Sequence, residues 1–292
     1  RDHLVSVALN QSDQQPWVLH AADDFVGYPA LSADGSQLAW VEWRQPAMPW
    51  DASELRCACL TPEGQLMQVQ TLAGSRPDAE QAISVFQPLW QPDGSLVVAE
   101  DSSGWWNLMR LPDPASGKKN WERPWPMQAE TAMPQWVFGM STSTWDGKQL
   151  LAAICSEGRW KLKQLKNDGT ILSVDQPFDD LADLHADSGR AVVIASSPFI
   201  GQGLLQLELN TGDWQHTPAS EAVLPIEAIS SAEPLWFQGA DGLRTHAWYY
   251  PPLGGVSSDA PLLVKSHSGP TAMARRGLSP VSYTHLTLPT TD

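Results

Sequence analysis

Residues 88–99 read Pro-Leu-Trp-Gln-Pro-Asp-Gly-Ser-Leu-Val-Val-Ala, and this stretch decides the fold because the chain repeats it. Residues 29–40 show the same pattern as Pro-Ala-Leu-Ser-Ala-Asp-Gly-Ser-Gln-Leu-Ala-Trp, and looser copies lie at 134–151 and 184–193. In each copy, Asp-Gly or Ser-Gly separates two short strand-like segments. Glycine tolerates a positive φ, so such a dipeptide predicts a tight turn between antiparallel strands. The repeated unit is therefore a β-hairpin.

Each hairpin is followed by further strand-like segments, such as 105–111 after the second copy and 160–165 after the third. The copies lie a few tens of residues apart, close to the roughly 40 to 50 residues that a four-stranded propeller blade needs. A β-sandwich built from spaced hairpins is the main structural alternative. We predict a mainly β fold in which residues 1–225 form a partial β-propeller of about four to five four-stranded blades.

The pattern changes after Pro225. An Asp241-Gly242 turn separates two strand-like segments, and the uninterrupted apolar run Leu262–Val264 then enters a polar turn. An apolar strand that leads into a Gly/Pro turn is typical of a buried strand in an α/β sheet. We therefore predict a domain boundary near residue 225, with residues 226–280 forming the first strands of an α/β domain.

The composition excludes several classes of partner. The chain has 33 Asp and Glu against 18 Lys and Arg, a formal charge of -15 that would repel phosphate backbones and anionic lipid. The longest apolar runs are far shorter than the roughly 20 residues of a membrane-spanning helix. Metal-site, dinucleotide and phosphate-loop motifs are absent from the sequence. We expect no nucleic-acid partner, no membrane partner, no metal and no cofactor.

Three further motifs lie within successive predicted blades: Met-Pro-Trp-Asp-Ala-Ser-Glu-Leu at 48–55, Asp-Ser-Ser-Gly-Trp-Trp-Asn-Leu at 101–108, and Gln-Trp-Val-Phe-Gly-Met-Ser-Thr at 135–142. In this order they resemble the propellers of bacterial dipeptidyl aminopeptidase and acylaminoacyl-peptidase-like members of the prolyl oligopeptidase family. The resemblance extends from about residue 1 to about residue 280. It implies a serine peptidase that hydrolyses oligopeptides, with a propeller that gates and docks the substrate.

Taken without the family, the motif residues have ordinary structural roles. Trp105, Trp106 and Trp136 are typical of packing between blades. Asp51 and Glu54 could bind a cationic peptide terminus, but such acidic residues serve more often in turns. We therefore predict no site at these five residues.

The resemblance makes 226–280 the N-terminal strands of a truncated α/β-hydrolase peptidase domain. There, the loop after the third strand supplies a backbone N–H to the oxyanion hole. By resemblance, His267, Ser268, Gly269 and Pro270 form this oxyanion-side loop. The family pattern has glycine where this chain has Ser268, which would cost about 1 to 2 kcal/mol if that position needed a positive φ. A turn-shaping hydrogen bond is the alternative role for His267.

The family's catalytic triad follows the order Ser, acidic residue, His, with the serine on a Gly-x-Ser-x-Gly elbow. This chain contains no such elbow; the nearest string, Gly277-Leu278-Ser279-Pro280, lacks the second glycine. We therefore expect no catalytic residue in this chain, with the triad beyond a truncation. The expected partners are an oligopeptide substrate and the protein's own missing C-terminal catalytic domain. A non-catalytic propeller that binds or scaffolds other proteins is the alternative function.

The first and last residues of the sequence lead to further expectations. The sequence starts at Arg1 without methionine, directly in a strand-like segment, so we expect the true N-terminus to be missing. We expect a cytoplasmic location, with a periplasmic one left open because of that missing terminus. Residues 281–292 resemble a translated sequencing adapter, and we exclude them from the interpretation of the fold.

Overall fold

The computed structural model describes residues 1–9, 15–221, 224–255, 257, 259–269 and 271–278. Antiparallel β-strands dominate this part of the chain. The strands are β1 His3–Ser6, β2 Trp17–Ala21, β3 Phe25–Leu31, β4 Gln37–Trp43, β5 Glu54–Leu60, β6 Leu66–Gly74, β7 Val85–Trp90, β8 Leu96–Glu100, β9 Asn107–Leu111, β10 Ser143–Trp145, β11 Leu150–Ser156, β12 Arg159–Leu165, β13 Ile171–Ser173, β14 Asp180–Asp187, β15 Arg190–Ser196, β16 Gly203–Glu208, β17 Trp214–Pro218, β18 Glu233–Gln238 and β19 Arg244–Tyr249. Short 3₁₀ helices cover Pro114–Ser116, Ile226–Ala228 and Ala240–Gly242.

The strands form sheets in which each strand pairs with the next one along the chain. Four-stranded sheets are β3 to β6, β10 to β13 and β14 to β17; β7 to β9 form a three-stranded sheet. On the outer side of β9, Arg110 makes an isolated antiparallel bridge to Glu122. Hairpins β1–β2 and β18–β19 complete the described sheets. None of the described helices is long and apolar enough to cross a membrane.

The sheets follow one another around an axis, as the blades of a propeller do. The first strand of each larger sheet contacts the first strand of the next, in the series β3, β7, β10 and β14. A separate apolar cluster lies between each successive pair of sheets, beginning with β1–β2 against β3 to β6. This serial order distinguishes blades from the two facing layers of a sandwich, so the predicted partial propeller is confirmed.

The middle blades are buried on both faces, and β8 shows why its sequence is apolar without interruption. Successive side chains of a strand point to opposite faces. Leu96 and Val98 therefore pack with the preceding blade, whereas Val97 and Ala99 pack with the following blade. All four are buried, as in a strand enclosed between two sheets.

The predicted hairpin turns are present. Gly35 and Gly94 have φ values of 72° and 83°, the left-handed region that the Asp-Gly turns require. In the first turn, Asp34 accepts hydrogen bonds from the hydroxyl of Ser32 and from the amide and hydroxyl of Ser36. These bonds lower the pKa of Asp34 to about 2. Local side-chain chemistry thus stabilises the turn that the repeat predicts.

The prediction for Leu262–Val264 was wrong in the described structure. These residues have no strand assignment, and their exposed fractions are 77%, 69% and 81%. A strand needs a neighbouring strand to pair its backbone groups, and no described strand lies beside this segment. The hairpin β18–β19 does form, with its turn at Ala240–Gly242. The domain boundary near residue 225 stays a prediction.

Candidate functional site

The three sequence motifs converge on one end of the blades. In a four-stranded meander, the loop that enters the first strand and the loop between the second and third strands emerge at the same end. Residues 44–53 join β4 to β5, residues 101–106 join β8 to β9, and residues 134–142 lead into β10. We call these three loops together the motif face.

The loop 134–142 enters the blade β10 to β13 but reaches the more distant sheet β3 to β6. The third copy of the repeat begins at Pro134, and its hairpin forms as β10 and β11, so that residues 134–142 precede the first strand as a loop. The Trp136 ring lies 4.3 Å from the ring of Trp50, and the Phe138 ring lies 6.2 Å from that of Trp43. The loop is therefore held by aromatic contacts with another blade and not by strand pairing.

The loop 101–106 is held by a network of buried polar groups. The Trp106 amide donates to a Glu130 carboxylate oxygen at 2.9 Å, and the Thr131 amide donates to the Trp106 carbonyl at 2.8 Å. Asp101 accepts from the Ser84 amide at 2.8 Å. Burial raises the pKa of the Glu130 and Asp101 carboxyls. Glu130 therefore accepts a hydrogen bond from the loop backbone, and Asp101, within the loop, accepts one from the backbone of Ser84.

Asp51 lies in a turn, as its sequence context indicates, whereas Glu54 is buried at the start of β5 and not in a turn. Asp51 accepts from the Met48 amide at 2.9 Å, closing its own turn. Glu54 is buried, and its carboxylate accepts hydrogen bonds from the Arg44 guanidinium at 3.0 Å and from the Thr71 hydroxyl at 3.0 Å. Neither carboxylate is left without a partner for a ligand.

A cavity of about 400 Å³ opens beside the loop 134–142, and we call it the pocket. Its other wall is formed by the start of β14 and the end of β15. The larger apolar side chains that line it are Met133, Val137, Phe138, Met140, Leu181 and Ile194. Its charged lining residues are Asp180, Asp183 and Arg275. The pocket therefore combines apolar side chains with three charged residues.

The two carboxylates of the pocket have different surroundings. Asp180 pairs with Arg275 at 2.5 Å and also accepts from the Ser196 hydroxyl at 3.3 Å. Asp183 is exposed and forms no ion pair or side-chain hydrogen bond with a residue that the structure describes. Together with burial, its charge raises the pKa of Tyr28, whose hydroxyl donates to the Met140 carbonyl at 2.9 Å. Asp183 is thus the unneutralised acid of the pocket.

A bulge in β14 places Asp183. Its φ of 53° is left-handed, and the pairing with β15 shifts register between Ala182 and His185. Tyr28 and Gln87 have φ values of 54° and 51° at similar bulges in β3 and β7. All three residues directly precede a copy of the sequence repeat. Alignment of the copies could have identified this position, although sequence analysis did not select Asp183.

The segment that contains the predicted oxyanion-side loop lies against the motif face. The indole N–H of Trp136 donates to the Thr271 carbonyl at 2.8 Å, and the ring of Trp136 lies beside Gly269. Gly269 has a φ of 76°, whereas Ser268 is not in the left-handed region, so the strain considered for Ser268 does not arise. His267 and Ser268 are exposed. Pro270 lies outside the described residues.

Residues 271–278 continue across the same end of the blades. The Leu278 amide donates to the Ser197 carbonyl at 2.9 Å, and the Ala274 carbonyl accepts from the Trp248 indole at 3.0 Å. Arg276 pairs with the buried carboxylate of Asp179. The segment is therefore held at several points along its length. The described residues contain no group of three or more side chains suited to a metal ion.

The fold has counterparts among solved structures. Neither a protein-family model nor a curated protein sequence matches the chain. A puromycin-hydrolyzing peptidase of Mycobacterium tuberculosis is 26% identical, with a TM-score of 0.74 over 81% of this chain and 36% of that chain. Puromycin hydrolase is 30% identical, with a TM-score of 0.74 over 82% of this chain and 35% of that chain. A structure described in an analysis of two prolyl endopeptidases shares the fold at 14% identity, with a TM-score of 0.64 over 84% of this chain and 34% of that chain. These neighbours, which cover about four fifths of the chain, support its resemblance to peptidases of the prolyl oligopeptidase family.

The chain spans about a third of the length of the peptidases it matches. The resemblance that the three motifs indicate is confirmed, and so is the mainly β fold with propeller blades. The assignment of His267, Ser268, Gly269 and Pro270 to an oxyanion-side loop stays a prediction. The pocket beside Asp183 was missed, because its walls come from segments about 50 residues apart in the sequence.

Proposed function

We propose that this chain is the propeller portion of a serine peptidase that hydrolyses oligopeptides, of the dipeptidyl- or acylaminoacyl-peptidase type. Its role is to gate and dock the substrate. The proposal rests chiefly on the contact of Trp136 with Gly269 and Thr271, which brings the predicted oxyanion-side segment to the motif face. The peptidases that resemble the chain at 26% and 30% identity support the same role.

The chemistry of amide hydrolysis indicates which groups this chain would supply and which groups a catalytic domain would supply. The reaction needs a nucleophile, a base and backbone donors that stabilise the oxyanion. Gly269 has the left-handed backbone that lets a loop approach a reacting group closely. The sequence contains no Gly-x-Ser-x-Gly elbow. We therefore propose that the protein's own catalytic domain supplies the triad, and that the chain alone does not hydrolyse peptides.

The motif face has the chemistry of a peptide-docking surface. Trp136, Val137 and Phe138 are 48%, 64% and 64% exposed, in consecutive positions of one loop. Exposed aromatic side chains supply large contact areas at a small cost in conformational entropy, which suits peptide recognition. The pocket directly beside this loop adds a concave site with both apolar and charged lining residues.

Hydrogen exchange on the 292-residue chain tests the proposal. We expect added oligopeptides, presented as a mixture of unstructured tetrapeptides, to slow exchange at residues 133–142 and 267–269. The loops at the opposite end of the blades, 61–65 and 166–170, serve as internal controls and should be unaffected. Protection only at that opposite end, or none anywhere, would refute docking at the motif face and favour the scaffold function.

A further inference from the structure

Strand β12 carries its cations on one face. Trp160 and Leu162 are buried in the apolar cluster that this blade shares with β14 to β17. Because successive side chains of a strand point to opposite faces, Arg159, Lys161 and Lys163 share the other face. We call these three cations the basic stripe. Arg159 and Lys161 are exposed, and Lys163 is half-buried.

The basic stripe lies outside the contact between blades. Lys161 and Lys163 pair in register with Ile154 and Ala152 of β11. Those two apolar residues pack against the preceding blade, in the cluster that includes Val97 of β8. β12 is one strand further from the axis, and there the cations on the same face reach solvent. The stripe is therefore accessible to a partner.

The basic stripe lacks carboxylate partners in a chain that is rich in carboxylates. Asp and Glu outnumber Lys and Arg by 33 to 18, and most described arginines form an ion pair with one of them. None of the three cations of the stripe forms an ion pair with a residue that the structure describes. Lys163 donates to the Ser173 hydroxyl at 2.7 Å, and the Arg159 guanidinium lies 5.9 Å from the centre of the Trp248 ring.

The cations of the stripe repel one another. Burial lowers the pKa of Lys161, and neighbouring positive charges, led by Arg159, lower it further. Asp175 acts in the opposite direction without outweighing them. Arg276 adds to the repulsion, although it already pairs with Asp179. An added carboxylate would therefore relieve repulsion, and it would not have to displace an existing ion pair.

We propose that the basic stripe binds an extended acidic segment of another protein, with one carboxylate at each cation. Residues on one face of a strand are about 6.7 Å apart, so the three cations span about 13 Å. An extended peptide has the same period, and acidic residues at its alternate positions therefore face successive cations. A nucleic acid fits less well, because its further phosphates would meet a chain with a net charge of -15. The proposed peptidase function is not needed for this inference, since the stripe is not part of the motif face.

Ligand-observed NMR titrations of the full chain with synthetic heptapeptides test the proposal. We expect Gly-Glu-Gly-Glu-Gly-Glu-Gly to bind, its glutamine counterpart not to bind, and the binding to weaken as salt is added. Arg159→Gln/Lys161→Gln should weaken the binding about tenfold, since two exposed ion pairs are lost. The control Lys118→Gln/Lys119→Gln removes the same charge from exposed residues of a segment that contacts β6, and it should leave the affinity unchanged.

Each outcome decides one part of the proposal. Equal weakening in the two double variants would show attraction to the net charge alone and would overturn the stripe as a site. Equal binding of the glutamate and glutamine peptides, or no binding of either, would also overturn it. Tighter binding of a single-stranded oligothymidylate than of the acidic peptide would overturn the choice of partner. Thermal melting of each variant verifies that it folds.

Discussion

Trp136 joins the predicted oxyanion-side segment to the propeller, and its replacement tests that contact. The Trp136→Phe substitution keeps an aromatic ring but removes the 2.8 Å hydrogen bond to the Thr271 carbonyl. Trp136→Ala also removes the ring contact with Trp50. A net hydrogen bond contributes about 1 kcal/mol and an aromatic pair about 1 kcal/mol. The segment should therefore open about fivefold more often in the first variant and about 30-fold more often in the second.

Amide hydrogen exchange measures this opening directly. The Leu278 amide bonds to the Ser197 carbonyl, so its exchange rate reports release of the segment from the blades. Trp17→Phe changes an exposed tryptophan of β2 and serves as the control. Exchange of residues 271–278 at an unchanged rate in Trp136→Ala would refute the contribution of Trp136. An equal acceleration in Trp17→Phe would show a general loss of stability.

Further predictions concern the blades, one turn and the activity of the chain. Leu151→Ala should lower the free energy of unfolding, measured by urea denaturation, by about 2 to 5 kcal/mol because it leaves a cavity between two blades. The control Leu172→Ala changes a side chain that is 39% exposed and should lower the free energy of unfolding much less. Equal losses in the two variants would contradict this packing. Asp34 has a pKa lowered to about 2 by the bonds from Ser32 and Ser36, so its stabilising effect is complete above the unfolded value of about 3.9 and is lost as the pH falls through about 2. An NMR titration should show Ser32→Ala raising that pKa, and an unchanged value would exclude the hydroxyl as its cause. The purified chain should not hydrolyse aminoacyl or acyl-aminoacyl nitroanilides; turnover that persists after preparation from a peptidase-deficient host would contradict the absence of a triad.

Sequence patterns that are typical of a strand do not always form one in this protein. Trp136, Val137 and Phe138 lie within the third copy of the repeat, yet they form a loop whose aromatic contacts are with Trp43 and Trp50, at the sheet β3 to β6. Leu262–Val264 likewise has strand character but lacks a partner strand among the described residues. Strand formation depends on what lies beside a segment as much as on its own residues.

The sequence by itself determined the hairpins and the blades. Asp34-Gly35 and Asp93-Gly94 set their turns through a left-handed glycine and local hydrogen bonds, and these effects act within a few residues. Only the tertiary structure decided that Asp183 lines a pocket in which no cation of the described residues pairs with it. The physical reason is that the partners of a charge, and the walls of a cavity, come from distant segments brought together when the blades pack.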